Sequence, residues 1–212
     1  MIDPEIPGGN APRRTRKPAE ERRADILRAA AKVFAQHGYR ATDVQFIADE
    51  AGVGKGTIYR FFPTKESLFL ATLNDVMERL TEEVEAVVEA VEDPWAAICQ
   101  VSRTYFSFFD RHPEAVELFI HERSEFRDRS MPVYFTHGER RRERWLELFR
   151  GLGLTEDTYP TPEIAIDLYG DMAFGAIFVN PLLPRRPGLI EWGEHTLRFI
   201  ARVLNRDVVE PS

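Results

Sequence analysis

The sequence predicts an all-α protein, a short amino-terminal helix-turn-helix unit followed by a larger helical body, and three observations carry that expectation. Apolar residues recur at helical spacing through most of the 212 residues. No segment shows strand alternation bounded by hairpin turn signals. From Lys65 the pattern Leu68, Phe69, Thr72, Leu73, Val76, Leu80, Val84, Val87, Val91 runs on without glycine or proline. That stretch is a single helix of roughly 40 Å at 1.5 Å per residue.

Residues 1–12 carry three prolines, two glycines and little to bury, which predicts disorder. Arg13, Arg14, Arg16 and Lys17 follow as a basic arm suited to phosphates or a minor groove; a solvated tail without a role is the bland alternative. The first helix is expected from Ala19 to His37, with Glu20 and Glu21 at the positive end of its dipole. Ile26, Leu27, Ala30, Val33 and Phe34 form its buried stripe, Gly38 closes it, and Tyr39 folds back as an apolar plug.

Thr42 and Gln45 have capping-box spacing, so a second helix is expected from about Asp43. Val44, Ile47, Ala48 and Ala51 share its inner face, and Gly52-Val53-Gly54 ends it with Val53 turned inward. The third helix, Lys55 to Phe62, has only Ile58 and Phe62 as its buried edge. So thin an edge on so short a helix leaves Lys55, Gly56, Thr57, Tyr59 and Arg60 with a task other than packing. Two cations, a hydroxyl, a phenol and a bare glycine can press on a phosphate backbone and read base edges. The free NH groups at the helix start favour phosphate as well. Pro63 ends this helix and Thr64 caps the long one that begins at Lys65.

Thr42, Ile47-Ala48, Ala51-Gly52-Val53, Lys55-Gly56-Thr57-Ile58-Tyr59, Phe62-Pro63 and Lys65-Glu66 together resemble the DNA-binding signature of the tetracycline-repressor (TetR) family. Ile26, Ala30, Phe34 and Gly38-Tyr39 extend the likeness over about the first third of the chain. It implies DNA contact through Arg13, Arg14, Arg16, Arg40, Thr42, Lys55, Gly56, Thr57, Tyr59, Arg60 and Lys65. It also implies a homodimer that places two recognition helices about 34–36 Å apart on a palindromic operator. Two positions depart from the family pattern. Gly54 stands where a capping serine is common, and Phe61 stands where a tyrosine or histidine donates to phosphate.

The charge distribution agrees with a DNA-binding head. Residues 1–66 hold 12 Lys plus Arg against 9 Asp plus Glu, a net +3, and the remainder 16 against 26, a net −10, which together give the chain's −7. An acidic body supports solubility and repels the duplex, so a basic head faces it. The single cysteine, Cys99, excludes an internal disulfide and reads as a packed small residue. No apolar run approaches the roughly 20 residues of a membrane span, and no secretory signal opens the chain. A cytoplasmic protein is expected.

In the body, Asp93-Pro94 opens a helix to about His112 and Pro113 the next, to about Glu125. A break at RDRSMP precedes a helix over 133–150 that stops at Gly151-Leu-Gly. Thr161-Pro162 starts another to Val179, Asn180-Pro181 breaks it, and the last runs from Leu189 to Leu204. The 162–179 helix is apolar nearly all round, which pairs it with the last helix in a four-helix interface across a two-fold axis. These readings divide the chain into a basic arm (1–18), a helix-turn-helix domain (19–66) and a ligand-binding and dimerisation domain (67–212).

Aromatics crowd residues 95–178 and are ordinarily core, yet so many with polar tips among them suit a pocket between helices. Tyr105, Phe109, His121, Tyr134, Trp145, Met172 and Phe174 are its expected lining. Glu117 and His121 have a metal-compatible spacing, but no Cys/His cluster joins them and an ordinary surface pair is the plainer reading. Neither a metal nor another cofactor is expected. Arg140–Arg144, RRRER, reads as a solvated helix face rather than a second nucleic-acid patch. Gly52-Val-Gly-Lys-Gly-Thr lacks the spacing of a phosphate-binding loop. No nucleophile-base pair or acid pair is evident, so no enzyme is expected. The expected function is a regulator, in the repressor sense, that binds operator DNA as a homodimer and is released by a small apolar or amphipathic effector. A small-molecule-binding or metal-sensing helical protein with a vestigial DNA head is the alternative.

Overall fold

The structure, a computed structural model, describes residues 18–210, so the Arg13, Arg14, Arg16 and Lys17 arm lies outside the described residues. Ten α-helices and one short 3-10 turn make up the described chain, with no strand among them. Helices α1 (Ala19–Ala41), α2 (Val44–Ala51) and α3 (Lys55–Phe61) form the head. Helix α4 (Lys65–Ala90) starts in the head and runs into the body, as its unbroken periodicity predicts. The body adds α5 (Pro94–Arg111), α6 (Glu114–Glu125), α7 (Val133–Arg140), α8 (Arg142–Gly151), α9 (Pro162–Val179) and α10 (Leu189–Val203).

The caps show why the helices begin where they do. Asp93 accepts from the Ala96 NH at 2.7 Å ahead of Pro94, and Thr161 accepts from the Ile164 NH ahead of Pro162. Thr64 accepts from the Ser67 NH at 2.9 Å while the Ser67 hydroxyl receives the Thr64 NH, a reciprocal cap that fixes the start of α4. The cap of α2 differs from expectation. Asp43, not Thr42, is the N-cap, its carboxylate accepting from the Gln45 NH at 2.8 Å. Thr42 is buried and its hydroxyl donates to the Gly38 carbonyl at 2.7 Å, while the Gln45 amide donates to Asp49. A carboxylate caps as well as a hydroxyl, and the hydroxyl is needed to satisfy a carbonyl released where α1 bends.

Gly38 sits at that bend with φ +77°, outside helical geometry although helical bonding resumes beyond it. Gly52 ends α2 at φ +64°, its NH returning to the Ala48 and Asp49 carbonyls. Between 133 and 150 the expected single helix is two, α7 and α8, broken at Arg141 (φ −114°, ψ 3°). Asn180-Pro181 does not stop α9 outright; the chain passes through a 3-10 turn, Asn180–Leu182, before leaving.

One apolar cluster runs from Ile26, Phe34, Ile47 and Ile58 in the head through Phe69 and Leu73 of α4 to Phe106, Phe108 and Leu118 in the body. Head and body therefore share a core. A second cluster holds Trp95, Cys99, Phe149, Leu197 and Ile200 where α5, α8 and α10 meet, and Cys99 is the packed small residue expected. Helix α10 approaches α5 through Gly193, where an added Cβ would lie 2.5 Å from a ring carbon of the buried Phe106. Gly193→Ala is accordingly expected to destabilise the fold by about 1–3 kcal/mol through overpacking, read as a lower midpoint in chemical denaturation. Gly188→Ala, which meets nothing within 4 Å, serves as the control.

Candidate nucleic-acid interface and effector cavity

Helix α3 is held by Ile58, fully buried, and by Phe62 just beyond its end. That anchorage turns the opposite face outward: Gly56, Tyr59 and Arg60 are exposed, Tyr59 at 41%, while Lys55 and Thr57 are half-buried at the edge. Gly54 precedes α3 without a side-chain cap, as its missing hydroxyl requires. Phe61 packs against the core and lies under the Arg60 guanidinium, 5.5 Å from its ring centroid, so it takes a packing role. Lys55 pairs with Asp43 at 2.7 Å, tying the start of α3 to the start of α2. This pair holds the Asp43 carboxyl below the usual range, second to the Gln45 NH, and raises Lys55.

Three of the residues expected on DNA have partners within the protein. Thr42 is buried, as described. The Lys65 ammonium donates to the Arg40 and Thr42 carbonyls at 3.2 and 3.1 Å and stands 4.8 Å from the Tyr39 ring centroid. It serves the carbonyls left open by the bend in α1. The Arg40 guanidinium donates to Glu125 of α6 at 2.6 Å, although the side chain is otherwise exposed. Lys55, Gly56, Thr57, Tyr59 and Arg60 form the outward side of α3, and the Arg40 side chain is exposed beyond its contact with Glu125.

The Arg40 contact belongs to a seam between α6 and the head. Phe126, at the end of α6, meets Tyr39 and Phe69 with ring centroids 5.0 and 5.6 Å away. The His121 ring closes on Gly38, whose added Cβ would come within 3.2 Å of it. The expectation that His121 lines the ligand pocket is therefore corrected. No group of three His, Cys, Asp or Glu that could hold a metal occurs among the described residues.

A cavity of about 520 Å³ opens in the body between α4, α5, α7, α8 and α9. Tyr105, Tyr134, Trp145 and Phe174 line it as expected. Phe109 does not; it is core, packed against Tyr105 and Phe119. Met172 faces a shallow groove between α9 and α10 instead, because α9 turns it away from the cavity. The sequence reading missed Met77, Leu80, Thr81 and Val84 on α4, together with His137 and Tyr169. Leu80 and Val84 had been assigned to the stripe of a long helix, and nothing in spacing alone separates a stripe facing core from one facing a void.

Arg141 and Arg142 also line the cavity, paired with Glu85 at 2.6 Å and Asp167 at 2.7 Å. Within RRRER, Arg141 and Arg142 thus tie helices together, and Arg144 pairs with Glu147 along α8 itself. The Tyr105 and Tyr134 hydroxyls share a hydrogen bond of 2.8 Å, and burial pushes the Tyr134 phenol up to about 12 and Tyr105 well above its usual range. Both stay protonated and can donate. Tyr169 is raised likewise, and its hydroxyl stands beside Ser102 too loosely for a hydrogen bond.

A short two-helix turn with an outward polar face, braced by a first helix and joined by a long helix to a cavity-bearing helical body, is a helix-turn-helix architecture. Residues 26–72 match the family described as bacterial regulatory proteins, tetR family. The chain is 33% identical over 132 residues to the HTH-type transcriptional regulator HbdR of Aromatoleum sp. (strain CIB), covering 62% of this chain and 57% of that one. It spans about half the length of the first curated relatives it matches. Among solved structures, the fatty acid degradation regulator FadR from Bacillus halodurans superposes with TM-score 0.68 at 18% identity, over 84% of this chain and 96% of that one. FadR from Bacillus subtilis, in complex with stearoyl-CoA, superposes with TM-score 0.65 at 19% identity over the same shares. At such identities the likeness establishes a shared fold.

Proposed function

We propose that the protein is a ligand-responsive transcriptional regulator, in the repressor sense, that binds a palindromic operator as a homodimer and is released by an apolar or amphipathic effector. The observation that carries the reading is a continuous connection between two surfaces: α4 begins against the recognition unit and, about three to five turns later, walls the cavity with Met77, Leu80, Thr81 and Val84. Residues 19–66 act as the DNA-binding unit and 67–212 as the effector and dimerisation unit. Six large apolar side chains on α9 and α10 stay exposed in the lone subunit, Ile164, Leu168 and Val179 with Ile190, Phe199 and Val203, and supply the two-fold interface.

A second route from cavity to head supports the coupling. Glu122 of α6 receives the Val133 NH on both carboxylate oxygens, at 3.0 and 3.1 Å, so α6 holds the start of the cavity-lining α7. One turn on, Glu125 and Phe126 grip Arg40 and Tyr39. Any movement of α7 therefore reaches the bend in α1. An effector favouring the displaced arrangement by about 1–3 kcal/mol would weaken operator binding roughly 5- to 150-fold. The B. subtilis FadR complex with stearoyl-CoA supports an acyl chain with a polar head as the effector class. The apolar wall would take the chain, and the partly exposed Arg141 and Arg142 stand where a head group would emerge.

The test is capture of genomic fragments from the source organism by the purified protein, followed by titration of the strongest fragment with stearoyl-CoA. Enrichment of a few palindromic fragments, released by the acyl-CoA, is the expected result. Binding no tighter than to random sequence at moderate salt would overturn the regulator reading, and binding that no acyl-CoA loosens would overturn the effector class.

A further inference from the structure

The cavity has a mouth, and its position follows from which lining residues meet solvent. Six of them are exposed: Phe135, Gly138 and Glu139 on α7, and Asp167, Gly170 and Asp171 on α9. The lining residues of α4, α5 and α8 are all buried or half-buried. Helix α7 packs on α4 and α8, and α9 on α8 and α10, so a slot is left between α7 and α9. An added Cβ at Gly138 or Gly170 meets nothing within 4 Å, as a position bordering open space requires. Two contacts bridge the slot. Phe174 of α9 meets Tyr134 and Phe135 of α7 with ring centroids 4.6 and 5.1 Å away. Arg142, at the start of α8, pairs with Asp167 at 2.7 Å, and the side chains are 32% and 56% exposed. Glu139, 3.9 Å from Arg142, belongs to the α7 side and cannot span the gap. At about 100° per residue, Asp167, Gly170 and Phe174 lie a quarter turn or more round α9 from Leu168 and Val179, so a second copy on that face leaves the slot open.

Charge on the lining is one-sided too. Glu139, Arg141, Arg142, Asp167 and Asp171 all stand on the α7, α8 and α9 side, whereas α4 and α5 contribute no charged group. Leu80, Val84, Ile98 and Val101 make the floor there, all buried. A charge pushed against that floor would be buried without a partner, which is strongly unfavourable. We infer that, on the proposed reading of this cavity as the effector site, the effector passes between α7 and α9 apolar end first, that the Arg142–Asp167 pair latches the passage, and that molecules charged at both ends are excluded. An ion pair as exposed as this one is weak, so the latch opens and closes without a large barrier.

Passage is tested by rates, with decan-1-ol as an uncharged probe and no DNA present. Trp145 in the cavity wall supplies a fluorescence signal for stopped-flow mixing. Gly138→Leu with Gly170→Leu adds bulk where there is room for it, and Gly188→Leu, equally unhindered and outside the cavity lining, is the control. Association and dissociation should both slow about tenfold or more in the double variant, with affinity and thermal midpoint near the parent's, because a passage is narrowed and the floor is untouched. Asp167→Asn should speed both rates about two- to fivefold, the worth of one exposed ion pair. Calorimetry then compares decanoate with decanedioate, and decanoate should bind at least about 100-fold tighter. Unchanged rates in the double variant, or slowing matched by the control, would overturn the passage. Weaker binding with an unchanged association rate would overturn it as well, by making the glycines part of the bound site. Unaltered rates in Asp167→Asn would overturn the latch, and decanedioate binding as tightly as decanoate would overturn the exclusion. Each of these leaves the cavity reading intact; failure of decan-1-ol and decanoate alike to bind would overturn that reading together with the inference.

Discussion

Leu168→Glu with Phe199→Glu should yield a folded single subunit that no longer holds operator DNA. Both side chains are more than half exposed, on α9 and α10 respectively, although each helix belongs to the core through its other faces. In the proposed homodimer this apolar face loses solvent against a second copy, and a two-fold axis sets like residues near one another. Glutamates there must be buried unpaired or face their own charge, at a cost of several kcal/mol per interface. The subunit's own core is untouched, since Phe106, Leu197 and Ile200 point inward. Sedimentation equilibrium should report one subunit with the parent's helical circular dichroism, and gel-shift affinity should fall at least about 100-fold as one half-site contact is lost. A variant that remains dimeric would place the interface elsewhere.

Tyr59→Ala and Lys55→Ala should weaken operator binding with the dimer intact. Tyr59 is held outward by the burial of its neighbour Ile58, so its truncation removes contact surface without opening the core. Single base-edge contacts contribute about 1–3 kcal/mol. A dimer loses each twice, so a fall of roughly 30-fold or more is expected in a gel-shift titration. Lys55 supplies charge beside phosphate once it exchanges Asp43 for DNA, and its loss should reduce the steepness of the salt dependence by about 2 per dimer. Lys65→Ala is the contrasting case. Its ammonium is committed to the Arg40 and Thr42 carbonyls, so the thermal midpoint should fall while the salt slope holds. Unchanged affinity for Tyr59→Ala would remove α3 from the groove.

Much of this was legible because it depends on near neighbours. Helix starts followed from Asp93-Pro94, Thr161-Pro162 and Thr64, and an interruption followed at Gly38, since caps and left-handed turns are settled within a few residues, although the first helix was expected to end there and instead bends and runs on to Ala41. The identity of the α2 cap was not, because Thr42 and Asp43 are both competent and the choice turned on a carbonyl at Gly38. The break at Arg141 was hidden for a similar reason: its side chain reaches Glu85, which spacing does not reveal.

The sequence by itself determined an all-helical chain, a short third helix with Tyr59 and Arg60 turned outward, and a long helix joining head to body. Those follow from apolar periodicity, which assigns each residue a side of its own helix. What lies on that side is decided by other helices, and only the tertiary structure supplied it. It set Leu80 and Val84 against a void, and it placed His121 on the bend at Gly38, outside the cavity lining. It paired Arg40 with Glu125 and Lys65 with the Arg40 carbonyl, because a side chain's partner is a matter of distances between elements.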